Sequence, residues 1–97
     1  MNLNTGKANY CPADANKVVH STEGALLGIV ASHGETTAQT VILYDNSAAS
    51  GDVLLKVTLP ASCAPVSIFF PERVPLRFVT GLAVTPGKCN VFVITAA

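Results

Sequence analysis

The sequence predicts an all-β fold: a small antiparallel β-sandwich, jelly-roll-like, or a barrel of about seven strands, with an extended N-terminal arm. Three observations carry this. Apolar residues fall in runs of four to nine, separated by Gly, Pro, Asn, Asp and Ser. The period inside the runs is two, and no window holds helical spacing over three turns. With 97 residues, the chain has room for a single domain.

The elements follow in order. Residues 1–23 are rich in Asn, Ala, Lys and Thr and keep no period, and Pro12 directly follows Cys11. They read as an extended arm, with the sandwich domain occupying 24–97. Gly24–Ser32 is the first apolar run and stops at His33-Gly34-Glu35. Gln39–Tyr44 is the second, closed by Asp45-Asn46-Ser47 and Ser50-Gly51-Asp52, residues that tolerate the backbone angles of tight turns. Val53–Leu59 places Val53, Leu55, Val57 and Leu59 on one face and ends at Pro60. Val66–Phe70 lies between Pro65 and Pro71. Leu76–Thr80 and Leu82–Thr85 are joined through Gly81, where a bulge or sharp bend is expected. Val91–Thr95 follows Pro86-Gly87.

Two runs are apolar on both faces. Val41 and Leu43 oppose Ile42 and Tyr44, and Val91 and Val93 oppose Phe92 and Ile94. A two-layer sandwich buries only one face of each sheet, so these strands expose apolar side chains unless something covers them. Loops or the N-terminal arm are one candidate cover; neighbouring subunits are the expected one, because charge is scarce. Charged residues are 12% of the chain, and six Lys+Arg balance six Asp+Glu. A net charge of zero removes the self-repulsion that keeps small proteins apart. It also argues against a nucleic-acid binder, whose affinity comes from neutralising phosphates.

Residues able to carry chemistry are few. His20 and His33 adjoin Ser21 and Ser32, but adjacency in sequence is not a nucleophile hydrogen-bonded to its base, and both histidines are expected as exposed loop residues. There is no G-x-S-x-G elbow and no glycine-rich phosphate loop. Asp45 and Asp52 flank one turn and are expected to serve the turn rather than a cation. No catalytic, cofactor or metal site is expected. Met1–Lys7 holds no apolar leader core, and the apolar stretch at Ala25–Ala31 is short and broken by Gly28, so no membrane contact and a cytosolic origin are expected. Cys11, Cys63 and Cys89 are odd in number and are expected as three thiols. Were they to pair, Cys63 with Cys89 would be the intrachain choice and Cys11 the interchain one.

The runs also form an ordered set of phrases. Gly24–Ser32 leads into Leu43-Tyr44-Asp45-Asn46, then Ser47 and Ser50-Gly51-Asp52, then Phe69-Phe70-Pro71, then Leu76-Arg77-Phe78 and Gly81-Leu82-Ala83-Val84. Over residues 24–95 this order resembles a family of small β-sandwich virion proteins of tailed bacteriophages. The resemblance implies a non-enzymatic capsid cement or decoration subunit. Such a subunit would stabilise the major capsid shell as a homo-oligomer, expected to be a trimer, in a virion assembled in the host cytoplasm. Its alternative is a tail or fibre component, in the form of an adhesive or carbohydrate-binding module presenting Tyr10, Tyr44 and Phe69. The interface candidates are Tyr10, Cys11, Ile42, Tyr44, Phe69 and Phe92.

Overall fold

The computed structural model describes residues 6–62, 64–71 and 75–96. Among them are nine strands and no helix: β1 (Gly6–Cys11), β2 (Lys17–His20), β3 (Gly24–Ser32), β4 (Gln39–Tyr44), β5 (Val53–Leu59), β6 (Val66–Phe69), β7 (Leu76–Phe78), β8 (Leu82–Thr85) and β9 (Asn90–Ala96). They form two antiparallel sheets. One runs β1-β9-β3-β6, with β7 pairing further along the same edge of β3, and the other runs β2-β8-β4-β5. Only β4 and β5 are sequence neighbours joined as a hairpin. The other connections cross between the sheets, apart from the one linking β6 to β7.

The small β-sandwich expected from the period-two runs is therefore the observed architecture, and its seven strands from Gly24 onward are β3 to β9. The expected arm is different. Residues 6–11 and 17–20 are extended on either side of a turn at Ala13 and Asp14, but β1 pairs with β9 along six residues and β2 pairs with β8, so each sheet takes one edge strand from this segment. Gly24 is thus not a boundary of the folded unit. The reason is local: β1 and β2 lie at sheet edges and turn only some side chains inward, so they show no sustained apolar alternation.

Alternate residues fill the space between the sheets. Cys11, Leu26, Ile29, Val91, Val93 and Phe78 from one sheet meet Val41, Leu43, Leu59, Leu82 and Val84 from the other in one buried cluster. Cys11 was expected in the arm, as the cysteine able to approach another subunit. Instead its side chain lies in this cluster, because position 11 pairs with Val91 on the inward side of β1. Burial raises the pKa of the Cys11 thiol, offset in part by the charge of Lys17. Cys89 is also buried, and Cys63 lies outside the described residues.

Candidate interaction face

The register of the five-stranded sheet sorts its outer face into cross-strand rows. One row is Tyr10–Phe92–Val30–Ser67, and the next is Ala8–Ile94–Gly28–Phe69. A third, at the far end, is Gly6–Ala96–Ala25–Arg77. The first two rows hold no charged residue. Tyr10, Phe92 and Phe69, at 45%, 46% and 59% exposure, are the three exposed aromatics of the described residues, and all lie on this face.

Each aromatic is held. The Tyr10 and Phe92 rings are 5.0 Å apart at centroids and tilted by 38°. The Tyr10 hydroxyl donates to Asn90 Oδ1 at 2.9 Å, anchoring one end of the pair to the start of β9. Phe69 lies over Gly28, where a Cβ would come within 2.4 Å of its ring, so only glycine admits the ring there. Lys17 Nζ donates to the Tyr10 carbonyl at 2.9 Å, placing a charge against the edge strand. A lysine so placed discourages strand addition at that edge and leaves the face as the available apolar contact.

The opposite sheet is mixed. Its outer side carries Val18, Ala83, Tyr44 and Val53 in one row, then Thr85, Ile42 and Lys56, then Thr40 and Thr58. The expected contact residues are therefore divided: Tyr10, Phe69 and Phe92 come together on one face, Ile42 and Tyr44 lie half-buried on the other, and Cys11 is in the core. Val30 was missed. Its outward position follows only from the pairing of β3 with β9, for which the sequence carries no local signal.

Neither histidine is the exposed loop residue expected. His20 bridges the two sheets: Nε2 is 2.9 Å from Thr95 Oγ1, and its ring packs 5.4 Å from that of Phe78. His33 is buried, its Nδ1 accepts the Glu35 N–H at 3.1 Å, and its Nε2 has no partner among the described residues. Both are thus turned to structure rather than to the neighbouring serines. Asp45 does not serve its own turn alone: its side chain reaches across to the link between β7 and β8. Its carboxylate accepts the N–H groups of Val79 at 3.0 Å and Thr80 at 2.9 Å.

Among the described residues no three His, Cys, Asp or Glu side chains are grouped to hold a metal ion, and no helix is long and apolar enough to cross a membrane. One open hollow of about 380 Å3 adjoins the third row of the face and is lined by Ala25, Arg77, Phe78 and Ala96 among others. No family model, curated protein or solved structure matches this chain.

Proposed function

We propose that this chain is a non-enzymatic virion structural subunit, a capsid cement or decoration protein that binds and stabilises a major capsid shell as a homo-oligomer. The observation that carries the structural role is the outer face of the five-stranded sheet, where three half-exposed aromatics and two aliphatic side chains stand without a charge among them. A surface of this kind is what protein contacts use, since burying it removes apolar area from water and desolvates no ion. The phage shell as the setting rests on the phrase order of residues 24–95.

The alternative, a sugar-binding module of a tail or fibre, fits this face less well. Sugar rings stack on aromatic planes offered flat to solvent, whereas Tyr10 and Phe92 are inclined to each other and spend part of their surface on one another. Cement acts by mass action and multivalency, so many weak footprints add to one strong hold. The test is the copy number of the chain in purified particles. Hundreds of copies per particle support the cement reading; a few to dozens move the chain to the tail, and absence from the particle removes the virion role.

A further inference from the structure

The relief of the candidate face points to its occupant. From the register, we infer that the occupant is a second copy of this chain, packed face to face about a two-fold axis that lies across the strands at the Ala8–Ile94–Gly28–Phe69 row. This rests on the reading of the face as a protein contact. Its observation is a size relationship between the flanking rows. On β1, β9 and β3 the residues on one side of the middle row are Tyr10, Phe92 and Val30, and those on the other side are Gly6, Ala96 and Ala25, with half-buried Leu27 in the β-bulge between Gly28 and Ala25. Large side chains stand at one end of the face and small ones at the other, strand by strand.

A two-fold contact is isologous: what one copy presents at a position, the other receives at the symmetry-related one. The proposed axis exchanges the two flanking rows. It sets Phe92 over the second copy's Ala96, Val30 over its Ala25 and Tyr10 over its Gly6. Phe92 and Val30 then enter the region of the hollow that Ala25 and Ala96 line. Phe69, on the middle row, meets its own symmetry mate. At the sheet edge Arg77 comes over the second copy's Ser67, so its cation meets a hydroxyl rather than a like charge.

Charge agrees with this occupant, and area limits its strength. Arg77 is the one charged residue on the three rows, Glu23 lines the hollow beside it, and the net charge of zero adds no long-range repulsion between copies. Three half-exposed aromatics with Val30 and Ile94 cover on the order of 400 Å2 per copy. Two copies then bury roughly 800 Å2, below the ~1,200–2,000 Å2 of standard stable complexes. The dimer is accordingly weak in dilute solution and is consolidated where copies are concentrated. A two-fold pair differs from the trimer expected from the sequence resemblance, and sedimentation velocity separates the two.

Sedimentation velocity of the full chain, from about micromolar to about millimolar, reads the association directly. The expected result is a monomer–dimer equilibrium within that range, weakened at least about tenfold by Phe92→Lys and unchanged by Val53→Lys on the opposite sheet. The register is tested by mixing. Phe92→Lys and Ala96→Asp each weaken self-association, and their equimolar mixture recovers a dimer because lysine then faces aspartate. Far-UV circular dichroism confirms that each variant is folded, and Phe69→Lys replaces Phe92→Lys if the latter is not. A monomer at every concentration, a Phe92→Lys dimer as strong as the parent's, or a mixture no stronger than its components overturns the proposal. A chain that stays monomeric yet attaches to particles contradicts the two-fold alone; a dimer that attaches to none contradicts the virion role alone.

Discussion

The carboxylate of Asp45 accepts the backbone N–H of Thr80 at 2.9 Å, tying the turn after β4 to the link between β7 and β8. Val79 adds its N–H at 3.0 Å, and Gly81 lets the chains close together, since a Cβ there would fall 2.9 Å from the Asn46 carbonyl oxygen. A turn of one sheet is thus latched to the connection that leaves the other.

This latch makes stability depend on acid. The Thr80 N–H is the main cause holding the Asp45 carboxyl below its usual range; desolvation opposes it, and the Val79 and Gly81 N–H groups assist to a lesser degree. A carboxyl lowered in the folded state stabilises the fold above its unfolded pKa, and that contribution is lost as pH falls through the folded pKa. Asp45→Asn is expected to lose about 1 kcal/mol at neutral pH. It should also flatten the acid limb of a urea-melt series. An unchanged acid limb would show that the latch does not contribute.

The bridge between His20 and Thr95 joins the sheets at one end of the core, with Thr95 buried beneath it. Thr95→Val keeps the shape but removes the hydroxyl, leaving His20 Nε2 without this partner. Equilibrium denaturation is expected to show a loss of about 1–2 kcal/mol. Stability equal to the parent's would mean that water replaces the threonine at no cost.

Cys11 is expected to resist thiol reagents in the folded protein and to react once urea unfolds it, because burial both shields the sulfur and raises its pKa. Non-reducing electrophoresis should show no dimer band that Cys11→Ser abolishes. Rapid modification of native Cys11 would contradict its place in the core.

Removal of residues 1–23 provides a sharper test of the fold. It strips an edge strand from each sheet, exposing the β9 and β8 edges and opening the core at Cys11. The truncated chain is expected to unfold or aggregate. A soluble truncated domain with the parent's circular dichroism would restore the arm reading.

Much of the sandwich was legible. The runs at Gly24–Ser32, Gln39–Tyr44, Val53–Leu59 and Leu82–Thr85 coincide with β3, β4, β5 and β8, because strands in contact with a core on one side must alternate. β1 and β2 were hidden because edge strands bear polar side chains such as Lys7, Asn9 and Lys17. The face was legible only in pieces. Tyr10, Phe69 and Phe92 each drew notice, but they meet through pairings between chain segments remote in sequence, β1 with β9 and β3 with both β9 and β6. No local pattern encodes such a register. His20 and His33 were misplaced for the same reason: Thr95 and the buried end of β3 reach them only in the folded chain.

On the proposed reading, the outer face of the five-stranded sheet is covered in the working state. Hydroxyl-radical footprinting measures this, by comparing Tyr10, Phe69 and Phe92 in the dilute monomer with the same residues in assembled particles. All three are expected to lose most of their reactivity on assembly. Equal reactivity of the three in both states would contradict that reading.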